Sequence, residues 1–473
     1  MPFSCAKSCC SALSSALGSK VYFPGDSVYN GTEQSYWSTQ EALLTPSCVV
    51  KPEVSTDVAK FMSVVTEITN CSFAIRTQGH SPAAGTANIQ NGVTLDLTYL
   101  NSTTISEDQS VARVETGSRW VDVYKTLDPY NKTVNGGRNG GVGVGGLTLG
   151  GGISHFSPQV GFTCDTVQNF EIVLADASTV NANATSNSDL FRALKGGGNN
   201  FGVVTRIDYR TVDITDVRGG LLFQTGDYAE AILTAFGKIA ASDDFDVHTS
   251  LVTDFLYNST SKEWLALSIP IYTLPELNPP VYRELFAIPN ITTETTSIIE
   301  SVAALADEAP IAQKYQTFYT STYAASPELL VALFNVANET LYSLDIPADV
   351  TWSITFEPFP TVFTKQGEGD NVLGTSEAEG NAVILLAGAS WTEPSSSEIG
   401  QSLAPLVVRA MDDAAAEAGG LHRFKYMNYA DPKQKVFQSY GEANAKFLKD
   451  TSRKYDPKRI FQRQVPGGFK LGL

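Results

Sequence analysis

Gly136-Gly-Arg-Asn-Gly-Gly-Val-Gly-Val-Gly-Gly-Leu-Thr-Leu-Gly-Gly-Gly152 is the most biased stretch of this 473-residue chain, with ten glycines in 17 positions. Glycine lets backbone approach a ligand closely and adopt positive φ, so successive N–H groups can converge on phosphate oxygens. The run is not a P-loop, because no Gly-Lys-Ser/Thr closes it. Gly141-x-Gly143-x-x-Gly146 matches the dinucleotide fingerprint as a pattern, but no strand is expected to lead in and no long helix to follow. A mobile surface loop would be polar, whereas Val142, Val144, Leu147, Leu149 and Ile153 make the stretch apolar enough to pack. A diphosphate held by backbone amides is the reading that fits.

Upstream lies a second glycine-bearing loop, Arg76-Thr77-Gln78-Gly79-His80-Ser81. The strand-like Cys71-Ser-Phe-Ala-Ile75 precedes it and the small residues Pro82–Thr86 follow. His80 is one of only four histidines. Set between Gly79 and Ser81 after a buried-looking strand, it is a candidate functional group, with a satisfied core histidine as the alternative.

Around these loops the first 212 residues read as short β-like runs with helical stretches between. Val58, Phe61, Met62, Val65 and Ile68 fall at helical spacing, and Val121–Leu127 and Ser188–Leu194 are further helices. After about residue 213 glycines thin out. Helices are expected over Tyr228–Ala240, Thr295–Ala306, Pro327–Val336 and Ser396–Ala418, and strands over His248–Tyr257, Glu263–Tyr272, Val350–Glu357 and Ala382–Trp391. That alternation reads as an antiparallel sheet backed by helices inserted into the first domain, an α+β architecture. The expected division is 1–212 with 421–473, and 213–420.

A net charge of −17 and pI near 4.7 oppose nucleic acid and anionic membranes as partners. No apolar run of about 18 residues could span a bilayer. Five of the six cysteines, Cys5, Cys9, Cys10, Cys48 and Cys71, lie in the first 71 residues, and Cys164 stands apart. None has paired C-x-x-C spacing, so a metal site is not expected. Disulfides pinning the N-terminal segment are, with Cys9 or Cys10 joined to Cys48 or Cys71. Eight Asn-x-Ser/Thr acceptors occur, at Asn30, Asn70, Asn101, Asn131, Asn183, Asn258, Asn290 and Asn338. These features point to a secreted glycoprotein whose leader is not part of this sequence; an intracellular protein is the alternative.

Several segments occur in a fixed order: Arg76-Thr-Gln-Gly-His80-Ser, Val93-Thr-Leu-Asp-Leu, Gly117-Ser-Arg-Trp, the glycine run, Asn199-Asn-Phe-Gly-Val-Val-Thr-Arg206, Tyr426-x-Asn-Tyr429, Ser439-Tyr-Gly-x-x-Asn444, Tyr455-Asp-Pro and Phe461-Gln…Pro466-Gly-Gly-Phe-Lys. The series resembles the berberine-bridge-enzyme-like FAD-linked oxidases of the vanillyl-alcohol-oxidase / p-cresol-methylhydroxylase superfamily, and the glycine-run wording is most similar to fungal members. The resemblance spans both end segments and is weak between them. It implies a two-part FAD-binding domain around an inserted substrate domain, and a His at the Arg-x-Gly-Gly-His position bonded to the flavin. His80 sits there, with Gln78 replacing the first glycine. Many members add a second link through a Cys shortly before the Gly145-Gly146 pair; here that window reads Arg138-Asn139-Gly140-Gly141, so a single covalent bond through His80 is implied. By position, Arg76, Gln78, Gly79, Ser81 and Gly85 would form the first loop. Gly117, Gly137, Val142, Gly143, Gly146, Leu147, Thr148, Gly151 and Gly152 would hold the diphosphate and ribityl chain, Val204 the ring edge, and Tyr426, Asn428 and Tyr429 the isoalloxazine.

The resemblance further implies a monomeric oxidase that takes two electrons from a small alcohol, sugar, phenol or natural-product intermediate and reduces O2 to H2O2. In many relatives a Glu or Gln base lies on the strand here read as Val383–Trp391, but Leu386 occupies that place and accepts no proton. Tyr429 is the first substitute, its phenol needing a lowered pKa or a concerted transfer. Glu357 is the second, sharing one face of its strand with Ser353 and Thr355. His155 is the third. Two other classes stand beside the oxidase: a cyclase in which FAD is mainly structural, which apolar Leu386 favours, and a nicotinamide-dependent dehydrogenase, which the motif context opposes.

Overall fold

The computed structural model describes residues 2–291, 298–307 and 313–473. Its strands form three sheets. The first contains β1 (Val21–Tyr22), β2 (Cys48–Val50), β3 (Phe73–Arg76) and β4 (Val93–Asp96), in the order β1-β2-β4-β3. β4 runs parallel to both β2 and β3, and the two strands β2 and β4 are buried along their whole length, as parallel strands covered on both faces must be. The second sheet contains β5 (Thr103–Ile105), β6 (Val111–Glu115), β7 (Lys132–Val134), β8 (Val167–Val173), β9 (Thr179–Asn183) and β10 (Val203–Asp213). All its pairings are antiparallel. The short β7 does precede the glycine run, but it pairs antiparallel with β10 and is followed by a helix of six residues, Val144–Leu149. A Rossmann unit needs a parallel βαβ crossover there.

The third sheet contains β11 (Val217–Gly219), β12 (Leu222–Thr225), β13 (Thr249–Asn258), β14 (Glu263–Tyr272), β15 (Ile298–Glu300), β16 (Tyr315–Ala324), β17 (Thr351–Phe359), β18 (Ala382–Trp391) and β19 (Leu421–His422). Its order is β15-β11-β14-β13-β17-β18-β16-β19, with β12 beside β14. Period-two alternation divides each long strand. Leu251, Phe255, Ile354, Phe356, Leu385 and Ala387 join the core beneath the helices Ala229–Ala240, Pro327–Tyr342 and Ser397–Glu417. Their neighbours along the same strands, Val252, Thr355, Glu357 and Leu386, face the opposite way and line a cavity. The site is thus the second face of a sheet whose first face is covered by helices.

Two sequence expectations need correction. Thr295–Ala306 is not one helix: residues 295–297 lie outside the described residues, Ile298–Glu300 pairs as a strand with β11, and only Val302–Ala306 is helical. The ten-residue strand β16 was not expected, although its Tyr, Phe and Thr residues are strong strand formers.

Cys9 bonds to Cys71 and Cys10 to Cys48. Both bonds tie the N-terminal helix to the starts of β2 and β3. Cys164 is a buried free thiol.

Candidate active site

A cavity of about 970 Å³ runs between the two glycine-bearing loops and the open face of the third sheet. That volume is at the top of the ~300–1,000 Å³ range of ligand pockets. His80 lines it from the loop after β3. Gly79 adopts φ +70°, and a Cβ there would lie 2.6 Å from the Tyr36 ring, so only glycine lets the chain turn His80 inward. The imidazole stacks on Trp37, with ring centroids 4.4 Å apart and planes 16° apart. Burial pushes its pKa down to about 4, so it is uncharged at neutral pH.

The loop is braced from behind. Arg76 points away from the cavity: its guanidinium donates to Thr32 O (2.9 Å) and to Ser35 Oγ (2.7 Å), and meets Asp96 at 3.3 Å over the Tyr36 ring. Gln78 accepts from Arg119 Nε at 3.0 Å and donates to Gly117 O. Glu41, fully buried, accepts from the backbone N–H groups of Gly85 (3.1 Å) and Ala87 (2.7 Å). Burial raises its pKa to about 7, against the opposing effect of those N–H bonds.

Of the residues expected to hold a cofactor, Gly79, His80, Ser81, Val142, Gly143, Gly146, Leu147, Val204, Tyr426, Asn428 and Tyr429 line the cavity. Arg76, Gln78, Gly85, Gly117, Gly137, Thr148, Gly151 and Gly152 are not among its lining residues. Among these, Thr148 Oγ1 bonds the Tyr209 hydroxyl at 2.6 Å, and Gly137 O accepts from Tyr124 at 2.7 Å. At Gly146 a Cβ would meet no atom within 4 Å, although the residue lines the cavity. Asn428 Nδ2 donates to Leu147 O and to the Tyr426 hydroxyl, both at 3.0 Å, joining the C-terminal segment to the glycine run.

The three candidate proton acceptors all line this cavity. Tyr429 and Glu357 are brought together: the phenol donates to Glu357 Oε1 at 2.8 Å. Arg138 completes the cluster, its Nη2 donating to Glu357 Oε1 (2.7 Å) and to the Tyr429 hydroxyl (2.8 Å). Glu357 Oε2 is buried without a partner. Burial and the Glu357 charge hold the Tyr429 pKa well above that of an ordinary phenol, so the lowered value a resting phenolate would need is not what this environment produces. His155 stands apart, its Nδ1 on Ser250 Oγ at 2.9 Å; burial, then Arg138, push its pKa down to about 3. Leu386 pairs with Thr355 across β18 and β17 and lines the cavity with no proton acceptor.

Sequence reasoning noted Arg138 only as the residue standing in the window of the absent cysteine. It is the one charge in the run from Gly136 to Gly152. A lone guanidinium in an otherwise neutral, glycine-rich ligand loop was the available signal.

Residues 46–183 match the family described as an FAD binding domain. The FAD-dependent monooxygenase tpcD of Cochliobolus heterostrophus is 36% identical, over 98% of this chain and 93% of its own length. The FAD-dependent monooxygenase sdcF of Emericella nidulans is 34% identical over 98% of each chain. Among solved structures, berberine bridge enzyme from Eschscholzia californica superposes with a TM-score of 0.80 at 15% identity, covering 98% of this chain and 100% of that one. The 6-hydroxy-D-nicotine oxidase of Arthrobacter nicotinovorans gives 0.77 at 20% identity, covering 95% and 97%. The fold is shared with both. With relatives this similar along nearly its whole length, the chain belongs to the same family of FAD-binding oxidoreductases as these fungal proteins, and it has the fold of berberine bridge enzyme.

Proposed function

We propose that this chain is an FAD-linked oxidase of a small organic hydroxyl compound, with the flavin bonded covalently through His80 alone and Glu357 as proton acceptor. The observation that carries the reading is the Arg138–Glu357–Tyr429 cluster on the same cavity as His80.

The residues present suit FAD. The cavity is large enough, and glycines line the side where a diphosphate must approach backbone. The open space at Gly146 is a cradle that any side chain would fill. His80, Ser81, Val142, Gly143, Gly146, Leu147, Val204 and Asn428 would hold the cofactor, with Arg76, Gln78, Gly85, Gly117, Gly137, Thr148, Gly151 and Gly152 shaping the loops. An uncharged His80 keeps a nitrogen lone pair free for a bond to carbon. Trp37 fixes the plane of the ring.

When bound, FAD supplies the acceptor for a hydride and passes the electrons to O2. The chain supplies the proton chemistry. Tyr429 and Arg138 both donate to Glu357 Oε1, which orients the carboxylate and stabilises its charge. Oε2 retains its capacity to accept a proton. Tyr429 relays rather than initiates: its high pKa suits a concerted shift of its own proton toward Glu357. The division into 1–212 with 421–473 and 213–420 puts His80 and Arg138 on the cofactor part and Glu357 on the substrate part. Two disulfides and the solvent exposure of Asn30, Asn70, Asn101, Asn131 and Asn258 support a secreted glycoprotein.

A panel of alcohols, sugars and phenols added to the purified protein tests the reading. Oxidation bleaches the flavin anaerobically and releases one H2O2 per turnover in air. The relatives' names favour a second reading, insertion of one oxygen atom, in which the product gains oxygen and H2O2 falls short of substrate consumed. A cyclase with structural FAD converts substrate with no bleaching. Glu357→Gln leaving flavin reduction unchanged would remove Glu357 from the mechanism.

A further inference from the structure

A C-terminal strap, residues 466–471, contributes Gly468 and Phe469 to the cavity lining, together with Asn199 from the loop before β10. Side chains hold the strap in place. Asn199 Nδ2 donates to Gly467 O (3.1 Å), Asn200 Nδ2 donates to Phe469 O (2.9 Å), and the Leu471 N–H donates to Gln462 Oε1 (3.1 Å). A Cβ on Gly467 would lie 1.8 Å from Gly85 O, so the strap also presses on the loop that follows His80.

Lys470 is the charged residue of this strap. Its Nζ donates to Asn199 Oδ1 (2.9 Å) and to Phe461 O (3.1 Å), and both acceptors are uncharged. Among the described residues no carboxylate pairs with it and no other charge acts on it. Burial alone pushes its pKa down to about 7. A buried ammonium with neutral partners is costly, and a third N–H is left over for an acceptor that the described residues do not supply.

The cavity has the opposite deficit. Among the described residues, its charged lining residues are Arg138, Glu300 and Glu357, and Arg138 is paired with Glu357. His80 and His155 are uncharged. The backbone N–H groups of the glycine loops offer partial charge only, in a protein of net charge −17. A doubly anionic diphosphate therefore finds no full positive charge on the lining.

We infer that Lys470, carried on the C-terminal strap, is the counter-charge for the diphosphate of FAD. This rests on the FAD reading of the cavity, and on neither the covalent bond nor the oxidation. An anion near Nζ favours the protonated amine, so above pH 7 binding of FAD draws a proton onto Lys470. The charged Nζ then holds Asn199 Oδ1 and Phe461 O more firmly than a neutral amine does, which tightens the strap over the cofactor.

The test uses His80→Ala protein with its flavin dialysed away, titrated with FAD and with riboflavin, which has no phosphate, and followed by flavin fluorescence. Lys470→Met should weaken FAD by about tenfold to a hundredfold, the range of one charge-assisted hydrogen bond, and leave riboflavin unchanged. Lys470→Arg keeps the charge and should retain most of the advantage of FAD over riboflavin. With Lys470 present, FAD affinity should be level below about pH 7 and fall above it, by at most about tenfold per pH unit, and Lys470→Met should abolish that slope. Equal weakening of FAD and riboflavin would mean that Lys470 only holds the strap. That result, unchanged FAD affinity in Lys470→Met, or a pH slope that survives the substitution would each overturn the inference. Wild-type protein whose flavin washes out would refute the covalent reading alone, and the same titration then runs on the wild type. Protein that takes up no FAD would overturn the flavin reading and this inference together.

Discussion

Removing Arg138 should destabilise the protein strongly, and removing Glu357 as well should add nothing to that loss. Arg138 Nη2 lies 2.7 Å from Glu357 Oε1, with side-chain exposures of 17% and 4%. At an effective dielectric of about 20, charges at that distance attract by roughly 6 kcal/mol, much of it offset by desolvation. Arg138→Met leaves a nearly buried carboxylate with only the Tyr429 hydroxyl as donor, and stranding a buried charge costs about 3–5 kcal/mol. Glu357→Gln keeps an acceptor oxygen for both donors and should cost about 2 kcal/mol, the value of a charge-assisted bond made neutral. The double variant strands nothing, so its loss should be at least about 2 kcal/mol smaller than the sum of the singles. Urea denaturation of the four proteins at pH 7, followed by far-ultraviolet circular dichroism, measures the cycle. Additive losses, or an Arg138→Met cost below about 1 kcal/mol, would refute the claim that a buried ion pair organises the site.

Three further outcomes follow from the same geometry. Burial raises the Glu41 pKa to about 7 in the folded protein, from the ordinary glutamate value of 4.5 that it takes when unfolded. Its contribution to stability is therefore complete below pH 4.5 and falls by about 3 kcal/mol as pH rises to 7, and Glu41→Gln should lack that slope when the two melting-temperature profiles are subtracted. Gly146→Val should fold normally but lose FAD, because its side chain fills open cavity, whereas Gly117→Ala should fail to fold, because its Cβ would lie 1.9 Å from Leu97 O. On any substrate that bleaches the flavin, Glu357→Gln should slow anaerobic reduction by about 10²–10⁴-fold and Tyr429→Phe by only about tenfold, reversing if Tyr429 is the base.

Local chemistry was legible in the sequence and distant partnership was not. The glycine run declared itself by composition, and the placement of Ser353, Thr355 and Glu357 on one strand face followed from period two alone. The pairing of Ile298–Glu300 with β11 was invisible, because an apolar stretch of that length suits helix or strand until a neighbouring edge decides. Arg138 shows the limit most plainly. Its partners lie 219 and 291 residues away, and no local pattern couples them. The cysteine cluster announced disulfides, but Cys9–Cys71 and Cys10–Cys48 could not be told from the opposite pairing until the helix and the strand starts were in place. Which of the two routes is open to Tyr429, a lowered pKa or a concerted transfer, was hidden for a related reason: the carboxylate that raises its pKa belongs to another part of the chain.

The central claim is a flavin tethered by His80 and by no other residue. Acid precipitation of the purified protein, with the pellet resolved on a denaturing gel and viewed for flavin fluorescence, tests it directly. The wild-type band should fluoresce with a colourless supernatant, and the His80→Ala band should be dark. Colour released entirely from the wild type would contradict the covalent bond, and a fluorescent His80→Ala band would contradict the single link.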